Sequence, residues 1–297
     1  MQEICPTLNT EKLLLATDGS QFSEGAIRES IRLAKQCSSQ LSVVSVIETN
    51  PEYETIAPQL LEKAEKSTRE HLEGIEAQAK KEGVDCTIRI LEGEDSYSFI
   101  TAEAAKSKTS MIIIGRRGKT GLKWLAIGST TARVIGHSPC NVLVVPRAAH
   151  VEFKNIVVAT DGSKYSAAAA AEAIGIAKRN SSKLTVVSVI PTEIATPTDI
   201  ELDMTLREHI AEKEMHVAET NAKAVKDAAQ KAGVTVQAFV MSGKPADAVI
   251  EIAKDNNADL IILGSHGRTG LEKLLMGSVA ERVIILSPCA VLVVKGK

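Results

Sequence analysis

The sequence is poor in aromatic residues and carries little net charge. Phe, Trp and Tyr make up 3% of its 297 residues. A platform that stacks single-stranded nucleic acid needs aromatic side chains, so this class of function is disfavoured. The cores must instead be built from Val, Ile, Leu and Ala, which suits a buried parallel sheet. A formal net charge of −2 provides no general attraction for polyanions. We therefore expect no nucleic-acid partner and no membrane partner.

Long apolar runs and targeting signals are also missing. No stretch approaches the roughly 20 apolar residues that a membrane-spanning helix needs. The first twelve residues, MQEICPTLNTEK, lack the basic and apolar regions of a secretory signal. These features lead us to expect a cytoplasmic protein.

The cysteines and histidines show no metal-binding pattern. The five cysteines stand singly, without a Cys-x-x-Cys pair, as Cys5, Cys37, Cys86, Cys140 and Cys289. An odd number without paired spacing favours buried or incidental thiols, with metal or redox roles as the weaker alternative. Cys140 and Cys289 each follow Ser-Pro at a predicted strand start, which favours packing. The histidines show no metal-ligand spacing.

Most of the sequence occurs twice. LLLATDGS at 13–20 returns as IVVATDGS at 156–163, an offset of 143, since 161 − 18 = 143. MIIIGRRGKTGLKWLAIGS at 111–129 returns as LIILGSHGRTGLEKLLMGS at 260–278, an offset of 149, since 264 − 115 = 149. A repeat of this length indicates a duplicated domain, because solenoid repeats have much shorter periods. We predict two domains, at residues 1–148 and 149–297.

Each copy alternates between apolar strand patterns and helical patterns. In copy one the predicted strands are 12–16, 41–47, 84–91, 111–114 and 141–145. The predicted helices are 24–36, 60–82, 96–106 and 129–136, with a proline-containing loop at 48–59. Copy two follows suit, with its long helix at about 200–232. Strands separated by helices imply parallel pairing through right-handed crossovers. The sequence predicts an α/β fold of two tandem Rossmann-like domains, each a five-stranded parallel open sheet with helices on both faces.

An aspartate follows the first strand of each copy, in Thr17-Asp18-Gly-Ser and Thr160-Asp161-Gly-Ser. Ligands of such sheets bind at the carboxyl ends of the strands. A carboxylate there can accept a hydrogen bond from a ribose hydroxyl, or hold a metal through water. Asp-Gly-Ser is also ordinary turn or helix-capping chemistry, so both readings stay open from this motif alone.

A glycine-rich loop follows the fourth strand of each copy. Its pattern is Gly115-x2-Gly118-x9-Gly128-Ser129 in copy one and Gly264-x2-Gly267-x9-Gly277-Ser278 in copy two. Glycines let backbone N–H groups approach an anion, and Gly-Ser before a helix exposes further N–H donors. Nearby cations could assist, namely Arg116, Arg117, Lys119 and Arg268. The alternative is a loop that only turns the chain; spacing and strand context favour phosphate binding.

Two familiar phosphate motifs are not matched. A Walker A sequence would need glycine at the position of Ile113, and a dinucleotide fingerprint would need GxGxxG after the first strand. A third candidate position is the end of the second strand, at Val46 and Val189. An apolar residue there could pack on a base, although a simple core strand explains it equally well.

At these residues the chain resembles the universal stress protein family, and specifically its tandem two-domain members. The resemblance covers nearly the whole chain and implies ATP as ligand, with Mg or Mn carried on the phosphates. It implies that Asp18 and Asp161 contact the nucleoside, that Val46 and Val189 meet adenine, and that the glycine loops hold the phosphates. The implied site of copy one is Thr17, Asp18, Val46, Gly115, Arg116, Gly118, Gly128, Ser129 and Thr130. The implied site of copy two is Thr160, Asp161, Val189, Gly264, Ser265, His266, Gly267, Gly277, Ser278 and Val279.

The resemblance also bears on assembly. The last strand of a family domain commonly mediates dimerisation, so strands 141–145 and 290–294 are expected to pair within the chain as an internal pseudo-dimer. An apolar edge strand such as VLVV independently needs covering. Association of two chains into a homodimer stays open.

The copies depart from the family pattern in places. Copy one has Arg116-Arg117 in its loop, which should help phosphate binding, and Glu94-Asp95 after its third strand, which would repel phosphate if they faced the site. His266 of copy two is expected to be a solvent-side or phosphate-adjacent residue.

Three functional hypotheses follow. The first is an ATP-binding regulatory protein in a stress response. It is preferred because no nucleophile–base pair is visible, so no catalytic residue is predicted. The second is a slow metal-dependent ATPase or nucleotide-dependent transferase that uses Asp18 or Asp161. The third is a protein-interaction module that no longer needs nucleotide.

Overall fold

A computed structural model of the chain describes residues 5–7, 10–118, 127–191, 204–268 and 276–296. The described strands of the first half are β1 (Lys12–Ala16), β2 (Gln40–Glu48), β3 (Cys86–Gly93), β4 (Met111–Gly115) and β5 (Asn141–Val145). Those of the second half are β6 (Asn155–Ala159), β7 (Lys183–Pro191), β8 (Thr235–Gly243), β9 (Leu260–Gly264) and β10 (Ala290–Val294).

All ten strands belong to one sheet, in the order β3-β2-β1-β4-β5-β10-β9-β6-β7-β8. Pairing is parallel within each half. At the centre β5 and β10 pair antiparallel, with Leu143 opposite Leu292. The predicted fold class and the internal pseudo-dimer through strands 141–145 and 290–294 are therefore confirmed.

Helices cover both faces of the sheet. Those of the first half are α1 (Glu24–Cys37), α2 (Pro51–Ile56), α3 (Pro58–Lys81), α4 (Ser96–Ser107) and α5 (Ser129–His137). Those of the second half are α6 (Lys164–Asn180), α7 (Met204–Lys231), α8 (Pro245–Asp255) and α9 (Ser278–Leu286). Over the described part of the chain, none of these helices combines the length and the apolarity needed to cross a bilayer.

Side chains that alternate in direction along the strands form a hydrophobic core on each face of the sheet. Leu13 and Leu15 of β1 join a cluster with α1 and α3, whereas Leu14 and Ala16 join a cluster with α4 and α5. Successive side chains of a strand point to opposite faces, so a strand buried on both sides must be apolar throughout. Each of the two clusters also contains residues of β9 and β10, so both cores continue from one half into the other.

The prediction of a loop at 48–59 is wrong, because this segment contains α2 and the beginning of α3. Pro51 and Pro58 stand at the first positions of those helices. Proline is tolerated there, since the first N–H groups of a helix have no intrahelical partner. The long helix predicted at 200–232 corresponds to α7, and residues 200–203 lie outside the described residues.

The interpretation of Cys5 and Cys37 as unpaired thiols is also wrong, because the two form a disulfide. Cys86, Cys140 and Cys289 are free thiols, and Cys86 and Cys289 are buried. Burial raises the pKa of both thiols to about 11. The expected packing role of Cys289 fits this environment.

The segment between β5 and β6 is held against α1 of the first half. Arg28 donates to the carbonyl of Ala149, and Arg32 donates to that of Val151. The buried carboxylate of Glu29 binds both arginines and accepts from the N–H of Val151. The connection into the second half is thus attached to the first half by a charged cluster.

Candidate functional site

Each half brings its strand-end aspartate against its glycine loop. A Cβ placed on Gly118 would lie 2.8 Å from Oδ2 of Asp18, and one on Gly267 would lie 2.8 Å from Oδ2 of Asp161. The N–H of Arg268 donates to Oδ2 of Asp161 at 2.8 Å. A side chain at either glycine would therefore push the carboxylate away from the loop, which explains the glycines locally.

The other oxygen of each carboxylate closes the turn after the first strand. The N–H groups of Ser20 and Ser163 donate to Oδ1 of Asp18 and Asp161, each at 3.0 Å. Burial opposes ionisation of Asp161, but hydrogen bonds from Ser163, Ser166 and the N–H of Arg268 outweigh it and lower its pKa. Asp161 is consequently ionised at neutral pH, and its lone pairs retain acceptor capacity for one more donor.

The predicted site residues Thr17 and Thr160 support the turn after the first strand of each half through their hydroxyl groups. Thr17 donates to Oγ of Ser23 and accepts from the N–H of Gly19, and the hydroxyl of Thr160 lies 3.5 Å from the N–H of Gly162. Both threonines are buried. The structure therefore places them as supports of the aspartate rather than at the surface of the site.

The first glycine of each loop serves packing. A Cβ on Gly115 would lie 2.8 Å from the carbonyl oxygen of Phe22, and one on Gly264 would lie 2.7 Å from the backbone of Tyr165. These neighbours are main-chain atoms, which cannot move aside cheaply. Gly115 and Gly264 thus allow the loop to pass close to the turn that follows β1 or β6.

The third glycine of each loop begins a helix. The N–H of Gly128 donates to the carbonyl of Arg116, and the N–H of Gly277 donates to that of Ser265, so the two ends of each loop are joined. Within the described residues, no side chain caps α5 or α9 at Gly128 or Gly277. The first N–H groups of both helices, at Ser129, Thr130, Ser278 and Val279, are therefore available to an anion.

The predicted base-binding valines lie at the ends of β2 and β7. Val46 and Val189 are half-buried and pack against the same core cluster as α4 and α8. At the end of β2 the first half has a cavity of about 560 Å³ on the α3 side of the sheet, and Val46 is not part of its lining. Its walls are Ile47, Glu48, Thr49, Asn50, Leu60, Leu61, Ala64 and Glu94. Ligand pockets of small heterocycles commonly have this size and mixed lining.

The expectation that Arg116 assists phosphate binding needs correction. Its guanidinium donates to the carbonyls of Ile284, Ile285 and Ser287 at 3.4, 3.1 and 2.8 Å, at the end of α9 in the other half. Burial, with Arg117 adding repulsion, lowers the pKa of Arg116. The side chain anchors the start of the glycine loop to the second half instead of facing the loop's own glycines.

In the glycine loop of the second half, Ser265 and His266 stand where the first half has Arg116 and Arg117. Ser265 is buried and its hydroxyl lies 3.1 Å from Nδ1 of His266, whose ring packs 5.2 Å from that of Tyr165. Arg268 forms a 2.9 Å ion pair with Glu214 of α7. His266 therefore contacts Ser265 and Tyr165 beside the loop. The positive charge of Arg268 is paired with the carboxylate of Glu214. Lys119 lies outside the described residues.

Repulsion of phosphate was expected if Glu94 and Asp95 faced the site; Glu94 lines the cavity at the end of β2, and Asp95 is paired with a cation. Arg133 of α5 pairs with Asp95 at 3.1 Å, and its repeat equivalent Arg282 of α9 pairs with Asp247 in the first turn of α8. Both pairs are exposed, so their stabilisation is small. Asp95 nevertheless does not present an unpaired negative charge to the loop.

Two residues that contact the strand-end turns are not among the predicted site residues. His71 of α3 lies 3.5 Å from the Cβ position of Gly19, and its Nε2 is 3.3 Å from Oγ1 of Thr17. Asn221 of α7 occupies the corresponding place beside Gly162. The long helices carry no motif, so only an alignment of the two copies along α3 and α7 could have paired these residues.

The described residues contain no cluster of three or more His, Cys, Asp or Glu side chains that could hold a metal ion. Asp18 or Asp161 with a serine hydroxyl supplies too few ligands for a protein-built Mg²⁺ or Mn²⁺ site. Ions of this kind usually keep several waters and bind through phosphates. A metal at this site would thus have to be carried in on the phosphates.

Both halves of the chain are similar to known proteins of one family. The family model described as "Universal stress protein family" matches twice, at residues 9–146 and 152–295. A universal stress protein of Methanocaldococcus jannaschii is 39% identical over 143 residues, which cover 48% of this chain and 82% of that protein. A relative of the same family name from Staphylococcus aureus is 35% identical over 147 residues, covering 49% of this chain and 86% of its own.

A solved structure supports the fold over its whole length. The crystal structure of a universal stress protein from Archaeoglobus fulgidus superimposes with a TM-score of 0.69 at 23% identity, covering 98% of this chain and all of that one. The curated relatives correspond to single halves, whereas this structure spans both. The chain belongs to the universal stress protein family and consists of two such domains in tandem.

Proposed function

We propose that each half of the chain binds an adenine nucleotide, preferentially ATP, and that the protein is a nucleotide-dependent regulator. The observation that carries the proposal is the uncapped amino end of α5 and α9 beside an aspartate that is clamped to the glycine loop. This arrangement supports the proposal because free backbone N–H donors and a carboxylate acceptor lie near the same glycine loop.

The phosphates would lie against the helix ends. Backbone N–H groups at a helix N-terminus, together with the helix dipole, attract anions. Ser129 and Ser278 are exposed at these positions, so their hydroxyls can donate to a phosphate oxygen. Gly118 and Gly267 add backbone that a ligand can approach without meeting a Cβ.

The nucleoside would lie between the aspartate and the second strand. Asp161 is ionised and can accept a hydrogen bond from a ribose hydroxyl. Val46 and Val189 present half-buried apolar surface to a base. In the first half a cavity of about 560 Å³ at the end of β2, lined by Ile47 rather than by Val46, has room for a purine.

Binding is favoured over turnover because the part of the chain that the structure describes shows no base positioned to activate water. Nδ1 of His266 lies beside the hydroxyl of Ser265, and Asp161 is engaged by two backbone N–H groups. The slow ATPase remains the second candidate, since a bound metal could polarise water without a protein base. Metal-dependent release of phosphate that Asp161→Ala abolishes while ATP binding persists would favour it.

The test is to denature the purified protein, identify any released nucleotide by chromatography, and then titrate nucleotide-free protein with Mg-ATP. We expect about two adenine nucleotides per chain when both sites are filled. Gly118→Ala with Gly267→Ala should weaken binding at least tenfold, because each Cβ displaces the aspartate carboxylate.

The matched control is Gly74→Ala in α3, where a Cβ meets no atom within 4 Å. This variant should bind like the parent. If the parent releases no nucleotide and also fails to bind Mg-ATP, the proposal is rejected and the nucleotide-independent interaction module becomes the better account.

A further inference from the structure

The N-terminal segment at residues 5–7 joins two helices from different halves of the chain. Cys5 forms the disulfide with Cys37, the last residue of α1. The carbonyl of Pro6 accepts a 3.0 Å hydrogen bond from Nδ2 of Asn180, the last residue of α6. Pro6 and Thr7 are buried. We call residues 5–7 the N-terminal clasp.

The two helix ends that the clasp joins are equivalent positions of the repeat. Asn180 and Cys37 differ by the repeat offset, since 180 − 37 = 143. The carbonyls of Pro6 and Ala149 are equivalent in the same way, since 149 − 6 = 143, and each accepts from the other half. The clasp therefore occupies the position in front of β1 that the inter-domain connection occupies in front of β6.

The two equivalent segments are fastened by different chemistry. The connection in front of β6 is held to α1 by Arg28, Arg32 and Glu29, which are charged groups independent of redox state. The clasp is held by one side-chain amide and by a bond between two sulfur atoms. Only the clasp can be loosened by a reductant.

The remaining thiols are poor competitors for an oxidant. Burial raises the pKa of Cys86 and of Cys289 to about 11, and it also raises the pKa of Cys140. The thiolate is the reactive form, so a raised pKa makes all three thiols less reactive at neutral pH; Cys86 and Cys289 are also buried, whereas Cys140 is half-buried. Cys5 and Cys37 are only half-buried, and a small oxidant or reductant can reach them.

We propose that Cys5 and Cys37 form a reversible thiol–disulfide site, oxidised by a peroxide, that fastens and releases the N-terminal clasp across the two halves. One thiolate attacks the peroxide O–O bond and becomes a sulfenic acid, releasing the first water after proton transfer. The second thiol attacks that sulfur, forms the S–S bond and releases the second water. Two thiols and one hydrogen peroxide thus give one disulfide and two waters.

The two redox states differ in how the clasp is held. In the oxidised chain the clasp is tied covalently to α1 and by a hydrogen bond to α6. In the reduced chain the hydrogen bond from Asn180 and the burial of Pro6 and Thr7 are left to hold it. Reduction therefore favours opening of the segment and exposure of the two equivalent helix ends.

The first experiment follows the sulfur chemistry in the full chain. The reduced protein is treated with one equivalent of hydrogen peroxide, blocked with an alkylating reagent in denaturant, and digested with trypsin. We expect residues 1–12 disulfide-linked to residues 36–63, and three alkylated cysteines where the reduced chain has five. Oxidation of Cys86, Cys140 or Cys289 before this pair would overturn the proposal.

The second experiment follows the clasp itself by hydrogen exchange of the peptide at residues 1–12. We expect exchange at least tenfold slower in the oxidised chain than in the same chain after reduction by dithiothreitol. Cys5→Ser should remove the redox dependence, whereas Asn180→Ala should retain it and speed exchange in both states. Equal exchange in the oxidised and reduced parent chain would refute the clasp.

Discussion

At the scale of single residues, glycines of one motif serve two purposes. Gly115 and Gly264 meet main-chain atoms of the turn below, so they are required by packing. Gly118 and Gly267 face the end of an aspartate side chain, which can move, so they are required by the position of a carboxylate. The motif thus combines structural and ligand-related positions, and a substitution has different consequences at each.

The lowered pKa of Asp161 predicts an acid-sensitive contribution to stability. A carboxyl group whose pKa is lower in the folded state stabilises the fold at pH values above its ordinary pKa of 3.8. That stabilisation is lost as the pH falls through the pKa of the folded state. The melting temperature of Asp161→Asn should lie below that of the parent at pH 7 and approach it as the pH falls below 3.8.

Thermal unfolding across this pH range measures the effect. Asp247→Asn, which removes one member of an exposed ion pair, is the matched control and should change stability little at pH 7. A constant difference between Asp161→Asn and the parent from pH 7 to pH 3 would contradict the assignment.

At the scale of secondary elements, cations from one half cap helices of the other. Arg116 binds the end of α9, and Lys295 donates to the carbonyls of Ile135 and Gly136 at the end of α5. The capped carbonyls are equivalent, since 284 − 135 = 149, but the cations come from different positions in the two halves. A positive charge at a helix C-terminus also interacts favourably with the dipole.

Loss of the Arg116 anchor should affect both stability and the first glycine loop. Arg116→Ala leaves buried carbonyls of α9 without a donor, which costs about 1–3 kcal/mol of unfolding free energy. Because Arg116 lies between Gly115 and Gly118, we also expect weaker nucleotide binding in the first half. Denaturant titration and Mg-ATP titration measure the two effects.

Lys295→Ala is the matched control, because it removes an equivalent cap from outside either glycine loop. If Lys295→Ala loses similar stability but less Mg-ATP affinity than Arg116→Ala, the additional loss of affinity in Arg116→Ala arises from the glycine loop. Equal affinity losses in both variants would show that the anchor acts through stability alone.

At the scale of the whole molecule, the two halves share their cores across the central strands. Leu143 and Leu292 face each other at the seam and are almost fully buried. Leu143→Ala should cost about 2–5 kcal/mol. It should shift the unfolding of both halves together, as monitored by hydrogen exchange of peptides from each half. Two separate transitions, with only the first half shifted, would show that the halves unfold independently.

The fold was largely predictable from the sequence, because strand and helix periods are local and the repeat confirms them within one chain. The proximity of Asp18 to the glycine loop was predictable for the same reason, since both lie at strand ends, whereas the binding roles of these residues stay a prediction. Arg116 was misassigned because its partners lie more than 160 residues away, in the other half. The disulfide was missed because pairing depends on proximity between residues 32 apart, which spacing does not encode.

The antiparallel join of β5 and β10 gives the molecule a directional property. Strands of the two halves meet at the seam running in opposite senses, so their carboxyl ends, and the two candidate sites, open on different rims of the continuous sheet. A ligand bound to one half would therefore lie at the rim opposite to that of a ligand bound to the other half, and the two rims are joined through the shared sheet.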